Sequence, residues 1–126
     1  MDYSDKVIEH FMCPKNVGSM PDADAEGIFG DVSCGDSLTI YLKVKDGILT
    51  DISYLVFGCA AAVAASSMFT VLVKGKSIEE ALNIGGRDVF NALDGLPASK
   101  VHCSVLGPQA LKKAIEDYES KRKDQS

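Results

Sequence analysis

The sequence predicts an α+β fold, with a three-stranded antiparallel meander first and a set of helices afterwards. Three observations predict it: alternating apolar residues in the front half, an Asp-Gly turn between two such stretches, and helical periodicity after Gly58. Strands followed by helices favour a sheet with the helices packed on one face. At 126 residues the chain is about one domain long, so we expect residues 1–126 to form a single domain.

A short helix is predicted ahead of the sheet, over residues 3–11. Its apolar residues lie three and four positions apart, which places them on one helical face: Val7, Ile8 and Phe11. Prolines and glycines then break the chain into an irregular segment that reaches about Gly27.

The three strands are predicted from alternation and from one turn. Residues 28–33 are a weak strand candidate, whereas residues 38–44 alternate clearly between apolar and polar side chains. The Asp46-Gly47 pair predicts a type I′ turn, because both central positions of that turn need positive φ. Residues 48–57 supply the returning strand.

The back half is predicted to be helical. Glycines and prolines divide it, and residues 77–80 read as a capping box that opens the second helix. The predicted helices lie between Gly58 and Gly75, from Ser77 to Gly85, over residues 87–93, and from Pro108 to Tyr118.

Composition and charge exclude several classes of protein. The net charge of −5 and pI near 4.9 argue against a nucleic-acid partner. The uncharged run over residues 52–73 is long enough to span a membrane, but its period changes at Gly58 and it contains several hydroxyl residues. A buried strand followed by a buried helix explains the run, so no membrane partner is expected.

The N-terminus has neither the basic nor the apolar region of a signal peptide. A cytoplasmic location is therefore expected, in which the four cysteines stay reduced rather than forming disulfides.

Three of those cysteines share a position, since each lies at a junction between predicted elements: Cys34, Cys59 and Cys103. For two of them a following helix N-terminus favours the thiolate, the form that binds metal. Asp36 lies near Cys34 and His102 adjoins Cys103. Sulfur, carboxylate and imidazole together are the donor mixture of a metal site.

Two other interpretations of these cysteines stay open. Buried free cysteine often serves as a small apolar residue. A Cys–His catalytic pair is disfavoured, because adjacent side chains such as His102 and Cys103 rarely point together. The other histidine, His10, has no recognisable orienting group.

Six short motifs occur in series along the chain: Pro14-Lys15-Asn16-Val17-Gly18, Cys34-Gly35-Asp36, Phe57-Gly58-Cys59, Ser66-Ser67, Lys74-Gly75-Lys76-Ser77 and His102-Cys103-Ser104-Val105-Leu106. In this order and at this spacing they resemble the IscU/NifU-N family of iron–sulfur cluster assembly scaffolds. The resemblance extends from about Tyr3 to Tyr118.

The resemblance implies a SufE/NifU-like fold whose three cysteine loops converge at one exposed end. It implies a scaffold, not an enzyme, that receives iron and desulfurase-derived sulfur, builds a [2Fe–2S] cluster and transfers it to acceptor apoproteins. Zinc is implied as an occupant of the cluster-free form. Whether the cluster-bound form is a monomer or a homodimer stays open.

The same resemblance assigns roles to individual residues. The implied thiolate ligands are Cys34, Cys59 and Cys103, of which Cys103 is also the candidate persulfide acceptor. Asp36 resembles a carboxylate whose removal stabilises the bound cluster in relatives, and His102 resembles an alternative ligand. Lys100 lies in a loop that relatives use beside the site.

The chain departs from the family pattern in three places. Ala60-Ala61 follows Cys59 where many relatives have Gly-Ser, and Cys13 stands where relatives usually have another residue. Residues 96–100 lack the second proline of the chaperone-recognition segment, which argues against an Hsp70-type partner. The alternative function is a zinc-dependent SufU-like sulfur acceptor for a cysteine desulfurase, which His102 disfavours.

Overall fold

The computed structural model describes residues 3–31 and 35–124, and after one short N-terminal helix the strands precede the other helices, as predicted. Helix α1 is followed by three strands; the bounds are α1 Asp5–Met12, β1 Ala25–Asp31, β2 Asp36–Lys45 and β3 Ile48–Phe57. In the rest of the described chain come α2 Ala60–Val73, α3 Ile78–Leu82, α4 Gly86–Ala92, a 3₁₀ helix over Ala98–Val105, and α5 Leu106–Asp124.

The sheet is the predicted antiparallel meander, with strand order β1-β2-β3. Asp46 and Gly47 both have positive φ, 55° and 76°, so the predicted type I′ turn is confirmed. The sheet buries one face: Leu38 and Ile40 point into the core, whereas Leu55 on the other face is exposed. The helices lie on the buried face, and the predicted fold class is confirmed.

One irregularity of the sheet matters for the site. A register shift next to Lys43 inserts one extra residue into β3. Beyond the shift Ser37 pairs with Phe57, and continuing that register places Asp36 opposite Gly58. A regular ladder from the turn would have placed Asp36 opposite Phe57 instead.

Helix α2 forms the centre of the core. It packs against β3, α1 and α5, and most of its side chains are buried. Its residues are small enough to permit this close packing: the buried ones include Ala61, Ala62, Ala64, Ala65, Ser66 and Ser67. The uncharged run in the sequence is thus β3 followed by α2, as predicted. Among the described residues, no helix combines the length and apolar character that a membrane span requires.

Helix α5 lies almost in backbone contact with β1, and Gly27 makes this approach possible. A Cβ at Gly27 would overlap the backbone of Ala114 and lie 2.6 Å from the carbonyl oxygen of Ala110. This contact fixes the start of α5, and with it the preceding 3₁₀ helix, relative to the sheet.

Several predicted boundaries differ from the structure. Strand β1 begins at Ala25 rather than Ile28, because pairing with β2 recruits residues that have no strand pattern of their own. Helix α1 begins after Ser4, whose hydroxyl accepts the N–H of Val7. Helix α5 begins at Leu106 rather than Pro108. The 3₁₀ helix is not predicted at all, because its residues lack a clear apolar period.

Candidate metal centre

Three of the predicted site residues lie together where the sheet meets the helices. One ligand atom from each of Asp36, Cys59 and Cys103 lies within 4.8 Å of the other two. The two sulfur atoms are 4.0 Å apart. The three residues come from the first position of β2, the N-cap of α2 and the 3₁₀ helix, so only the fold brings them together.

His102 completes this group on the solvent side. Its Nε2 lies 3.4 Å from Oδ2 of Asp36 and 3.7 Å from Sγ of Cys103. The expectation that the side chains of His102 and Cys103 diverge is therefore wrong. Successive residues of a 3₁₀ helix point about 120° apart, but the long imidazole reaches back over the short Cys103 side chain.

The other two cysteines are not part of this group as described. Cys34 lies outside the described residues, so its role as a ligand stays a prediction. Cys13 is exposed at the C-cap of α1. The cysteines that the structure describes are all free thiols: Cys13, Cys59 and Cys103.

Cys59 is prepared for ionisation by its position at the start of α2. Burial is the largest single influence and acts against the thiolate, whereas N–H groups of the first turn, at Ala62 and Ala61, act in its favour. The Cys103 thiol and the positive charge of Lys100 add to this effect. The net result is that the pKa of Cys59 lies below its usual value.

Cys103 has the opposite character. Its side chain is 0% exposed, and burial raises the pKa of the thiol to about 12. The neighbouring sulfur of Cys59 contributes to this rise. The expectation that a following helix N-terminus favours the Cys103 thiolate is wrong, because Cys103 lies inside the 3₁₀ helix rather than at the N-terminus of α5.

Lys100 provides positive charge at the edge of the site. The negative charge of the Cys59 thiolate raises the pKa of Lys100. Its N–H donates to the carbonyl of Pro97, which holds Lys100 in the first turn of the 3₁₀ helix. Lys100 thus faces the same sulfur atoms that the carboxylate of Asp36 approaches from the sheet.

Comparison with known proteins identifies the family to which this chain belongs. Residues 2–125 match the family described as the NifU-like N terminal domain. The chain belongs to that family.

Relatives and solved structures agree with this assignment. This NifU-like chain is 56% identical to the "Iron-sulfur cluster assembly scaffold protein IscU 1" of Archaeoglobus fulgidus, over 92% of this chain and 76% of that protein. It is 45% identical to the "Iron-sulfur cluster assembly scaffold protein IscU" of Escherichia coli K12, over 97% of this chain and 98% of that protein.

A crystal structure from Fervidobacterium islandicum, described as a putative iron-sulfur cluster assembly scaffold protein for the SUF system, superposes with a TM-score of 0.75. The superposition covers 90% of this chain and 96% of that one. The two sequences are 20% identical, so this likeness supports the fold alone.

His10 has a structural role in this NifU-like chain. Its Nδ1 lies 2.7 Å from the hydroxyl of Ser67 on α2, and the same hydroxyl accepts the N–H of Lys15. Burial lowers the pKa of His10, which favours the neutral ring. His10 therefore ties α1 to α2.

Gly58 is the site residue whose importance the sequence analysis misses. It precedes Cys59 and lies very close to Asp36. A Cβ at this position would overlap Oδ1 of the Asp36 carboxylate. One signal in the sequence could have revealed the register that pairs them: Leu49 and Ile52 are both apolar although they are three positions apart, and a strand can bury both on one face only if it contains a bulge.

Proposed function

We propose that this chain is a scaffold, not an enzyme, on which a [2Fe–2S] cluster is assembled and then transferred to acceptor apoproteins. Iron and the sulfur released by a cysteine desulfurase would be the starting materials, and the cluster would be the cargo. We propose that residues 1–126 act as one unit in this role, in the cytoplasm, and that zinc occupies the same ligands when no cluster is present.

The observation that carries this proposal is the approach of two free thiols and one carboxylate within 4.8 Å of one another. Cys34 is proposed as the third thiolate, since it precedes Asp36 by two residues. Thiolates are the usual ligands of iron–sulfur clusters. The names of the relatives support the same cargo.

The mixture of donors supports temporary rather than permanent binding. A site with four thiolates, as in ferredoxins, retains its cluster. Here the proposed fourth ligand is the carboxylate of Asp36 or the imidazole of His102, both of which hold iron less firmly than a fourth sulfur in such a site. The His102 side chain is 60% exposed, so an acceptor protein can approach from that side.

The two described thiols would then have different tasks. Cys59 is the thiol better prepared to bind the first metal ion, because its pKa is lowered. Cys103 is still proposed as the acceptor of persulfide sulfur, but its side chain is 0% exposed. Sulfur transfer to Cys103 therefore requires the 3₁₀ helix to move when the desulfurase docks.

The partners proposed are a cysteine desulfurase and acceptor apoproteins, with a second copy of the chain as the alternative source of ligands in the loaded state. An Hsp70-type chaperone is not proposed. The segment that would bind it, residues 96–100, contains a single proline and continues directly into the 3₁₀ helix.

Anaerobic reconstitution tests this function. With ferrous iron, cysteine, a cysteine desulfurase and a thiol reductant such as dithiothreitol, which reduces persulfide sulfur to sulfide, the native chain should acquire iron and acid-labile sulfide in equal amounts. Alanine substitution at Cys34, Cys59 or Cys103 should abolish retention of the cluster, because each removes a thiolate ligand. Iron and sulfide counts and the visible spectrum measure the result.

Cys13→Ala is the matched control, since it removes an exposed cysteine outside the group and should leave the counts unchanged. Tight stoichiometric zinc that activates the desulfurase, with no cluster formed, would instead support the SufU-like alternative and contradict the scaffold.

Asp36→Ala tests the origin of the cluster's lability. Loss of the oxygen donor should lengthen the half-life of the reconstituted cluster during transfer to a chelator, by about tenfold if the carboxylate is the point of release. Asp51→Ala, a carboxylate at the far end of β3, is the control. An unchanged half-life in Asp36→Ala would rule out release at this position.

A further inference from the structure

The Asp36 carboxylate lies tightly against the end of β3. A Cβ built on Gly58 would overlap its Oδ1 and lie 3.5 Å from its Cγ. The other oxygen, Oδ2, lies 3.4 Å from Nε2 of His102. The carboxylate is therefore confined between a glycine backbone on one side and an imidazole on the other.

The backbone of Gly58 does not itself require glycine. The glycines with positive φ, which L residues adopt only with strain, do not include Gly58. Gly35 shows the contrast, because its φ is +90° and nothing lies within 4 Å of a Cβ placed there. At Gly58 the requirement is for space, and the atoms that occupy the space belong to Asp36 and to Ala62.

The sheet register explains why these two residues meet. Ser37 pairs with Phe57, so continuing the same register puts Asp36, the first residue of β2, opposite Gly58, which follows the last residue of β3. Directly opposed residues of a sheet hold their Cβ atoms about 5 Å apart. With no Cβ at Gly58, the Asp36 side chain can fold across the end of β3 towards the sulfur of Cys59.

We propose that Gly58 is a positioning residue for Asp36: the absence of a side chain at Gly58 lets the carboxylate reach the sulfur atoms and thereby determines how readily the site releases its cargo. A methyl group at this position would displace the carboxylate outward and leave the sulfur donors in place. This inference rests on the proposed function, because it concerns the residue proposed as the point of release.

A metal-binding measurement on the cluster-free chain tests the proposal without a cluster. Co²⁺ accepts sulfur, imidazole and carboxylate ligands, and its visible absorption changes with the ligand set. Gly58→Ala should give the Co²⁺ spectrum of Asp36→Ala rather than that of the native chain, with affinity reduced about tenfold. In the Asp36→Ala background, Gly58→Ala should change neither the spectrum nor the affinity.

Cluster lifetime provides the second measurement. Gly58→Ala should lengthen the half-life in the same direction as Asp36→Ala, and the double variant should match Asp36→Ala alone. If Asp36→Ala lengthens the half-life but Gly58→Ala does not, this inference is overturned while the proposed function stands. If the native chain assembles no cluster, the proposed function fails, whereas the Co²⁺ comparison still decides the role of Gly58.

Two controls separate the carboxylate from other effects of the methyl group. Gly85→Ala makes the same chemical change where nothing lies within 4 Å, and it should leave the Co²⁺ spectrum native. A Cβ at Gly58 would also lie 2.8 Å from the Cβ of Ala62. If Gly58→Ala with Ala62→Gly regains the native spectrum, the effect passes through α2 and the proposal is wrong.

Folding of the variants is checked by thermal unfolding. Should Gly58→Ala fail to fold, the double variant with Asp36→Ala decides the matter. It regains the fold if the contact with Asp36 causes the failure, and it stays unfolded if the contact with Ala62 does, which would overturn the proposal.

Discussion

The N-terminus of α2 and the 3₁₀ helix before α5 each contribute one thiol to the same site, with opposite properties. Cys59 is partly exposed at a helix start, and its pKa is lowered. Cys103, with its sulfur 4.0 Å away, is buried with a pKa of about 12. The residue type alone therefore does not determine reactivity, because the local backbone and burial decide which thiol ionises first.

This difference suggests an order of events. In the metal-free chain Cys59 is the thiol that ionises more readily, whereas Cys103 keeps its proton until a change in its surroundings, such as a movement of the 3₁₀ helix, lowers its pKa. The following predictions test this difference between the two thiols.

Alkylation should show the largest contrast. In the metal-free chain near pH 8, iodoacetamide should modify Cys59 at least about fiftyfold faster than Cys103, because the thiolate is the nucleophile. A thiolate of higher pKa is intrinsically more nucleophilic, but this only partly offsets the smaller thiolate fraction of Cys103. Peptide mass spectrometry over time measures both rates in one sample.

Exposed Cys13 serves as the internal reference, since it should react promptly in every sample. If Cys103 reacts as fast as Cys13, the 3₁₀ helix does not protect it, and the proposed difference between Cys59 and Cys103 is wrong.

Alkaline pH should reduce the stability of the metal-free chain. The folded state retains the Cys103 proton up to a pKa of about 12, whereas the unfolded chain releases it near pH 8.5. Above about pH 9 the unfolded state therefore binds fewer protons, so the free energy of unfolding falls as pH rises, by about 1–2 kcal/mol at pH 10. Denaturant unfolding across this range measures the slope.

Cys103→Ala isolates the contribution of this thiol. Burial also raises the pKa of Tyr54 to about 12, so the variant retains part of the alkaline slope. Parallel curves for the native chain and Cys103→Ala would contradict the assignment to Cys103.

Lys100→Ala should produce the smallest effect. Removing the positive charge should raise the pKa of Cys59 and slow its alkylation about threefold, which corresponds to half a pKa unit. Lys45→Ala, at the turn end of β2 and far from the site, should leave the rate unchanged. Equal Cys59 alkylation rates in both variants would show that Lys100 does not influence the reactivity of Cys59.

Much of the fold could be predicted from local patterns. Alternation and the Asp46-Gly47 turn predict the meander, and a capping box predicts the start of α3 at Ile78. Such features depend on residues close together in the chain, so the sequence displays them directly. Strand β1 and the 3₁₀ helix could not be bounded in this way, because pairing and packing with distant residues define them.

The same distinction between local and long-range features applies to the candidate site. The available residue types, namely thiols beside a carboxylate and an imidazole, can be read from the sequence alone. So can the motif order that indicates the family. The folded chain is needed to bring Asp36 opposite Gly58 through a bulge in β3, and to bury Cys103 while Cys59 stands at the N-cap position of α2. The reason is physical: register, burial and local charge arise from atoms that are distant in the chain and meet only after folding.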